Sequence, residues 1–346
     1  MLPLGVLIPT RNSMAYLPDH VRALNAWLHL AQEVVVVDSH STDGTVEYLR
    51  EHLRHPSVQF LRHPPGLYES WNFGIRRLHT KYAYFATVGD CMLNGGIRHL
   101  VSVAEDFECD VVVSPPQLMD TQSNLVSELR WPIHQLLPLL KLNSPPLLTR
   151  YETFFYATIF ALGHGLSSIL GSSASNLYRT AVLKCLPFPT DCGPPGDTVW
   201  GVENALNIKL ALTPMACSMF LFHPKEEDPD AVQALKQRVT QRLFHSAEEL
   251  LRREFGIAQG RALLSGGARM VEILDELRQF EHYRNLLRAY RRNPIPWYLD
   301  ARAWDARIKR EKHRKRFEEL SPVEPSEAWV QFLQTSDAGQ LAWPAL

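Results

Sequence analysis

The stretch VVVVDSHSTDGTVEYL, residues 34–49, is the most informative part of this sequence of 346 residues. Its apolar run ends at an acid, Asp38, as a strand does, and the residues STDGT lead from that strand into a helical pattern. An acid at the position of Asp38 can accept hydrogen bonds from a base or a ribose. Asp43 has two interpretations, a cap for the helix that begins near Thr45 or a contact to a ligand.

Predicted strands and helices alternate on both sides of this stretch. Short apolar runs predict strands at Leu4–Ile8, Glu33–Val37, Val58–Arg62, Tyr82–Val88 and Asp110–Ser114, with helical patterns at 16–31, Thr45–His52 and Leu67–Leu78. This order predicts a mostly parallel α/β sheet flanked by helices. In such a sheet the ligand crevice lies beyond the carboxyl ends of the strands. The residues that follow the strands there are Pro9, Thr10 and Arg11, Asp38 and Ser39, His63, and Gly89 and Asp90.

Composition and charge exclude some classes of protein. The chain has 36 Lys+Arg against 37 Asp+Glu, whereas a general nucleic-acid binder normally has a strong basic excess. The five cysteines lie far apart, without a CxxC pair or zinc-ligand spacing, as reduced thiols do in a cytosolic protein. The first residues lack the pattern of a signal peptide. We therefore expect a cytoplasmic protein, with attachment to the inner face of a membrane left open.

Two segments raise the question of a membrane. FFYATIFALGHGLSSILG, residues 154–171, has no charge over 18 residues, but its glycines, serines and histidine favour a buried segment or a membrane-surface patch over a span. The basic run Lys309–Arg316 could touch an anionic membrane or nucleic acid, although flanking acids favour a solvated helix face. From residue 226 onward the sequence changes to long, charged helical patterns.

Four stretches in order give the chain a resemblance to the family 2 glycosyltransferases of the GT-A fold. They are LIPTRN at 7–12, VVVDSHSTDGT at 35–45, WNFGIRR at 71–77 followed by the strand YAYFATVGD, and GDTVW at 196–200. The resemblance implies a GT-A domain over residues 1–225, with an acceptor-side insertion at 119–175, and a helical C-terminal extension over 226–346. It also implies inverting transfer of a sugar from a nucleotide-diphosphate sugar, with a divalent cation on the diphosphate.

The resemblance also implies a nucleotide site. Pro9, Thr10 and Arg11 would line the base pocket, Asp38 would contact the base or ribose, Asn72 and Arg76 would approach the nucleotide, with Arg76 at the pyrophosphate, and Gly89 and Asp90 would lie beside it. Asp90 falls on the last acid of the family's D-x-D-D segment. Thr87 and Gly89 stand where two of the usual aspartates would be.

A metal site is implied around Asp90. Mg²⁺ or Mn²⁺ often takes only one or two protein carboxylates when phosphates and waters complete its coordination, so one aspartate can be enough. His223 stands where many GT-A enzymes place a metal-binding histidine, and imidazole favours Mn²⁺ over Mg²⁺. The alternative for His223 is an ordinary surface or core residue.

Inversion needs a general base to take the proton of the acceptor hydroxyl. Asp197 matches the second residue of the family's E-D signature, in which Gly196 replaces the glutamate, and its alternative role is an N-cap. Glu203 is the reserve base. Trp200 could stack on a sugar or belong to the core. The acceptor-side segment offers Ser175 and Asn176, with Ser173, for binding hydroxyl groups.

Three functions from different classes remain open. The first is an active glycosyltransferase that uses a UDP-sugar, the commonest donor in the family, and a saccharide or lipid-linked acceptor, in cell-envelope or exopolysaccharide synthesis. The second is a nucleotide-binding protein on the same fold with an eroded acidic motif. The third is an interaction protein that acts through its helical C-terminal region. Nucleic acid is not an expected partner, and contact with a membrane surface or a second copy of the chain stays open.

Overall fold

The computed structural model describes residues 1–120, 125–126, 131–140, 147–163, 165–221, 229–255, 265–291 and 301–320. The strands are β1 (Leu4–Thr10), β2 (Glu33–Asp38), β3 (Val58–Arg62), β4 (Tyr82–Phe85), β5 (Cys91–Met92), β6 (Val111–Val113), β7 (Gln117–Met119), β8 (Leu147–Leu148), β9 (Asn176–Arg179), β10 (Leu210–Leu212) and β11 (Ser218–Leu221). The α-helices are α1 (Leu17–Trp27), α2 (Thr45–His52), α3 (Leu67–Ile75), α4 (Gly96–Asp106), α5 (Pro132–Leu139), α6 (Arg150–Gly163), α7 (Thr180–Cys185), α8 (Gly196–Glu203), α9 (Pro229–Phe255), α10 (Ser265–Arg291) and α11 (Ala301–Leu320).

Eight of these strands form a central sheet in the order β3-β2-β1-β4-β9-β6-β10-β8. The strands β3, β2, β1 and β4 are parallel, whereas β9 runs antiparallel to both of its neighbours and β8 antiparallel to β10. The prediction of a mostly parallel α/β sheet is confirmed. The chain order changes direction at β1, which lies between β2 and β4, and a ligand crevice is expected at such a switch point.

Alternation along the strands sends side chains to two apolar layers. Leu7 and Val37 face the layer that contains α3, α6, α8 and α9, and Val6 and Val36 face the layer that contains α1 and α4. Helix α3 approaches the sheet closely because Gly74 has no side chain there; a Cβ on it would collide with Leu7. This close approach fixes how the end of α3 lies against β1 and β2.

The uncharged segment that begins at Phe154 forms the greater part of helix α6. Residues Phe154–Leu162 are all buried in the apolar layer shared with α8 and α9. Arg150, at the start of this helix, pairs with Glu254 of α9 at 3.1 Å. Among the described residues there is no helix of the length and apolar character that a bilayer crossing requires.

The described C-terminal region is helical. Helix α9 packs against α6 and α8, and α10 packs mainly against α11. Three of the six Lys and Arg residues of the basic run Lys309–Arg316 pair with nearby acids: Lys309 with Asp305, Arg314 with Glu311 and Glu318, and Arg316 with Glu272 and Glu319. This pairing is that of a solvated helix face. The boundary expected near residue 226 falls outside the described residues.

Candidate functional site

The carboxyl ends of β1 and β2 bring Thr10 and Asp38 side by side in the strand register. Asp38 is only 4% exposed, and both of its carboxylate oxygens accept from the backbone N–H of Ser41, at 3.0 and 3.3 Å. Thr10 donates to the Ser13 hydroxyl at 3.1 Å. Two polar groups thus meet at the crevice edge, held in place by the turns that follow their own strands.

The turns after β1 and β2 are bonded to each other. The backbone N–H of Asn12 donates to the Ser41 hydroxyl, and the Asn12 amide oxygen accepts from the backbone N–H of Thr42, both at 2.9 Å. Asn12 has φ of 46° and His40 φ of 58°, both in the left-handed region that non-glycine residues rarely adopt. The crevice edge is therefore held rigid before any ligand arrives.

Asp43 completes this brace. Its carboxylate accepts from the backbone N–H groups of Met14, at 3.0 Å, and Thr45, at 3.1 Å. It also accepts from the Thr45 hydroxyl at 2.6 Å. Of its two interpretations, the structure shows the role at the helix start, extended by the bond to the turn after β1.

The first strand also ends in Pro9 and Arg11. Pro9 is partly exposed and Arg11 is exposed, and the Arg11 guanidinium has no ion pair among the residues that the structure describes. Its position beside Thr10 leaves it free to meet a negatively charged ligand at the crevice.

Asn72 and Arg76 do not lie in that crevice. The Asn72 amide donates to the backbone C=O of Phe188 at 2.7 Å and accepts from its N–H at 3.0 Å, so both of its polar groups are used inside the protein. Arg76 follows α3 just before β4, at the amino end of the parallel strands, which is the opposite edge of the sheet. The geometry thus contradicts the nucleotide contacts expected of these two residues.

Asp90 follows β4, next to β1, in the loop that contains Gly89 with φ of 101°. One of its carboxylate oxygens accepts from the Thr87 hydroxyl at 2.5 Å, and the other accepts from the backbone N–H of Leu221 at 3.1 Å. Burial raises the pKa of Asp90 to about 7, although these two hydrogen bonds act in the opposite direction. The Asp90 carboxyl group is therefore hard to ionise, and its two hydrogen bonds hold it in a fixed position at the crevice.

His20 of α1 holds the main chain at this point. Its Nδ1–H donates to the backbone C=O of Asp90 at 3.0 Å, and burial lowers the pKa of His20 to about 4, so the ring is neutral. Its Nε2 is buried without a hydrogen-bond partner among the described residues. His20 was not predicted, because its partner is a backbone group 70 residues later in the chain.

A divalent cation fits at Asp90 only with help from other ligands. The described residues include no group of three or more His, Cys, Asp or Glu side chains that could hold a metal ion. Asp90 itself offers two oxygens that each accept only one described hydrogen bond, which suits the one protein carboxylate that Mg²⁺ or Mn²⁺ needs beside phosphates and waters. His223, the second predicted ligand, lies outside the described residues. Leu221, the last described residue before it, is bonded to Asp90.

Asp197 lies in the first turn of α8, in a cleft of about 340 Å³. Its Oδ1 accepts from the backbone N–H of Thr198 at 2.6 Å, while Oδ2 accepts no bond from another residue in the described part of the chain. Burial raises the pKa of Asp197 to about 6 despite the hydrogen bonds from Thr198. The helix begins one residue earlier, with Pro195 at the N-cap, so the predicted N-cap role is corrected to a first-turn role.

Tyr68 of α3 explains why glycine stands before Asp197. A Cβ at Gly196 would collide with the Tyr68 ring, and the Tyr68 hydroxyl accepts from the backbone N–H of Asp197 at 3.0 Å. The same hydroxyl donates to the backbone C=O of Pro194 at 2.9 Å. Tyr68 occupies the space that a larger residue at position 196 would need. The sequence gives no sign of this contact, since the two residues are 129 positions apart.

Glu203, the reserve base, is engaged elsewhere. Arg242 of α9 donates to both of its carboxylate oxygens, at 2.8 and 2.9 Å, and the Ser246 hydroxyl donates to one of them at 2.8 Å. With both oxygens engaged, this geometry does not support proton abstraction by Glu203. The residue links α8 to α9.

The three residues predicted to bind the acceptor are buried. Trp200 is 0% exposed, donates from Nε1 to the backbone C=O of Leu186 at 2.6 Å, and belongs to the core. Ser175 shares a hydrogen bond of 2.5 Å with the Ser218 hydroxyl, and Asn176 donates to the backbone C=O of Leu170 at 2.6 Å. Both are 0% exposed. Ser173 is buried as well, so the acceptor roles expected of this group are wrong for this conformation.

Comparison with known proteins adds a family and a fold. Residues 5–164 match the model of the family described as glycosyl transferase family 2. No curated protein matches the chain significantly. Among solved structures, TarS of S. aureus in complex with UDP-GlcNAc is similar at 15% identity, with 91% of this chain and 90% of that chain covered and a TM-score of 0.50. Glucosyl-3-phosphoglycerate synthase from Mycobacterium tuberculosis, in complex with Mn²⁺, UDP and glucosyl-3-phosphoglycerate, has 16% identity, 71% and 80% coverage and a TM-score of 0.46.

Proposed function

We propose that the protein, whose residues 5–164 match the model of glycosyl transferase family 2, transfers a sugar from a UDP-sugar to a hydroxyl group of an acceptor, with inversion at the anomeric carbon. The observation that carries this proposal is the overlap between the matched residues and the strands β1, β2 and β4. Thr10, Asp38 and Asp90 follow or end those strands at one edge of the sheet, where an open parallel sheet binds its ligand.

The donor side of the proposed site is the braced edge after β1 and β2. Asp38 would accept hydrogen bonds from the base or ribose, Pro9 and Thr10 would line the base pocket, and the exposed guanidinium of Arg11 would meet the negative charge of the nucleotide. A rigid edge favours binding because fewer groups lose conformational freedom when the ligand enters. UDP is the proposed nucleotide, as in the solved complex of TarS, whose fold the chain shares.

A divalent cation would bind the donor diphosphate next to Asp90. When bound, such a cation neutralises the charge of the diphosphate leaving group. Asp90 would supply one carboxylate, with His223 as a proposed second ligand. Because burial raises the pKa of Asp90 to about 7, the cation must displace a proton from part of the molecules at neutral pH, so its affinity should fall in acid.

Asp197 is the proposed general base. A carboxylate with a pKa of about 6 is ionised at pH 7 and yet holds a proton more tightly than an ordinary carboxylate, which suits proton abstraction near neutrality. Its Oδ1 is held by Thr198, and Oδ2 is available for the acceptor hydroxyl. Tyr68 positions the backbone of Asp197 and is a positioning residue.

The proposed setting is cell-envelope or exopolysaccharide synthesis on the cytosolic side of the membrane. The first test is a thermal-shift panel of UDP, GDP, dTDP and CDP, each with Mn²⁺, Mg²⁺ or EDTA, because a ligand that binds only the folded state raises its Tm. We expect metal-dependent stabilisation by UDP, followed by UDP release from a UDP-sugar. Stabilisation without any turnover would favour a nucleotide-binding protein, and no stabilisation by any nucleotide would overturn the donor site.

A further inference from the structure

Two clefts adjoin beside the proposed base. The first contains Asp197, and the second, of about 600 Å³, lies between α6, α9 and α10. Gly165, Leu166 and Lys236 line both of them. The second cleft, which we call the helical groove, therefore leads from the C-terminal helices to Asp197.

One face of α9 forms a wall of the helical groove, and most of the side chains on that face are polar. Gln233, Gln237 and Gln241 follow each other at intervals of four residues, with Thr240 and Phe244 on the same face. Amides and a hydroxyl can donate and accept hydrogen bonds, whereas the Phe244 ring is only 7% exposed and lies beneath the Arg278 guanidinium. A saccharide presents many hydroxyl groups, so the amides of this wall match its hydrogen-bonding surface.

The charge of the helical groove is positive. Its described lining contains four Lys or Arg residues and two Glu residues, apart from two histidines. Both acids are paired within the groove, Glu248 with Arg278 and Glu281 with Arg284. Lys236 has no ion pair among the described residues, and it stands at the end that adjoins Asp197. Of the two cations in excess of the acids, Lys236 is thus the one nearest to the proposed reaction centre.

We infer that the acceptor reaches Asp197 along the helical groove and that the groove selects a saccharide acceptor that carries negative charge, from phosphate or carboxylate groups. This inference rests on the proposed function, since it takes Asp197 as the base. It assigns to the C-terminal helices the recognition of the acceptor. It also supplies an acceptor site in place of the buried Ser175 and Asn176.

The test measures the binding of three matched monosaccharides to the full chain by ligand-observed NMR titration: glucose 6-phosphate, glucuronate and glucose. We expect the charged sugars to bind more tightly than glucose, and the stronger of the two identifies the charged group. Lys236→Glu should raise the Kd of that sugar by at least about tenfold, because a charge-assisted contact is replaced by repulsion.

The matched control is Arg238→Glu. Arg238 is exposed on the same helix, two residues away, but does not line the helical groove, and the variant has the same change of charge. Its Kd should stay within about twofold of the wild-type value. Equal effects of the two variants, an unchanged Kd in Lys236→Glu, or no binding of either charged sugar would overturn the inference, and the groove would then be a water-filled gap between helices.

The nucleotide panel separates this inference from the proposed function. Lys236→Glu should keep the full thermal stabilisation by UDP and metal, because Lys236 lies on the acceptor side. If the wild-type protein binds charged sugars, Lys236→Glu weakens that binding and no nucleotide stabilises the protein, then the proposed donor site is wrong and the acceptor site in the helical groove is supported. If UDP stabilises the protein and Lys236→Glu leaves the Kd of the charged sugar unchanged, then the donor site is supported and the acceptor inference is wrong.

Discussion

The carboxylate of Asp90 accepts a hydrogen bond from the backbone N–H of Leu221, 131 residues later in the chain, at 3.1 Å. This bond joins the loop after β4 to the end of β11 and so brings two distant segments together at the proposed metal site. A carboxylate held at that point can bind a ligand, but it is costly to ionise because it is half-buried and poorly solvated.

We predict that Asp90→Asn raises stability at pH 8. The folded-state pKa of Asp90 is about 7, above the ordinary value of 3.8, so the folded protein holds a proton that the unfolded chain releases. The stability that Asp90 contributes is complete below pH 4 and is lost as pH rises through 7. Asparagine is neutral throughout; its Oδ1 can accept from the Leu221 N–H and its Nδ2 can donate to the Thr87 hydroxyl, so Tm should rise by about 2 °C at pH 8, with a gain of about 1 kcal/mol.

The comparison that checks this is a thermal melt at pH 4 and pH 8, with Asp106→Asn, an exposed acid, as the control. The gain should vanish at pH 4 and should not occur in Asp106→Asn. A lower Tm for Asp90→Asn at pH 8 would contradict the raised pKa of Asp90. In the same variant, UDP should no longer bind more tightly with Mn²⁺ or Mg²⁺.

Asp197→Asn should lower turnover by about 10²–10⁴-fold, because an amide cannot take a proton from the acceptor. The Kd of UDP should be unchanged. Turnover is measured as UDP release from the UDP-sugar that stabilises the protein most, and the Kd by calorimetry. Glu203→Gln is the control and should retain turnover within a few-fold, since Arg242 already engages both of its oxygens. Equal losses in the two variants would return Glu203 to the role of base.

The pH dependence of turnover should show the proton of Asp197. Below its pKa of about 6 the carboxyl is protonated and cannot act as a base, so kcat should rise with pH and reach half of its plateau near pH 6. The profile is measured from pH 3 to 8 at saturating donor. A midpoint near pH 4, the range of an exposed carboxyl, would mean that another acid carries the step.

Asn72→Ala should destabilise the protein without changing nucleotide affinity. The variant leaves the backbone N–H and C=O of Phe188 without their partners, at a cost of about 2–4 kcal/mol in the free energy of unfolding. Urea unfolding measures this cost. Arg76→Ala, at an exposed site, should change it by at most about 0.5 kcal/mol. A weaker Kd for UDP in a folded Asn72→Ala protein would restore the role that the family resemblance implied.

The sequence identified the central sheet well because local patterns determine it. The bounds of α2 and β3 agree with the prediction at both ends, and β1, β2 and β4 were predicted as strands and are parallel as expected; their order in the sheet was not predicted. The resemblance to family 2 glycosyltransferases and the GT-A fold are confirmed by the family match together with the mostly parallel sheet. Strands that are buried in the sheet consist of apolar residues and end in polar ones, which is why the sequence pattern predicts them.

The site was less predictable because its roles depend on contacts across long sequence distances. A Trp at this position of a helix is compatible with stacking on a sugar and with packing in the core. Only the hydrogen bond to Leu186 and the full burial of Trp200 show that it belongs to the core. Asn72 matches a family motif yet turns toward Phe188. Lys236 lies in a region that resembles nothing in the family pattern, so no sequence signal connected it with Asp197.

The apolar face of α9 belongs to the same hydrophobic cluster as Trp200 and Phe188, and the ion pair between Glu203 and Arg242 fastens α8 to it. A chain that ended near residue 226 would therefore expose to water the apolar faces of α6 and α8 that α9 covers. We expect the sheet and α9 to melt in a single cooperative transition, as one folding unit. Helix α9, which lines the helical groove, is thus part of the core. Replacing it with the corresponding helix of a relative would require changes in the core residues against which it packs.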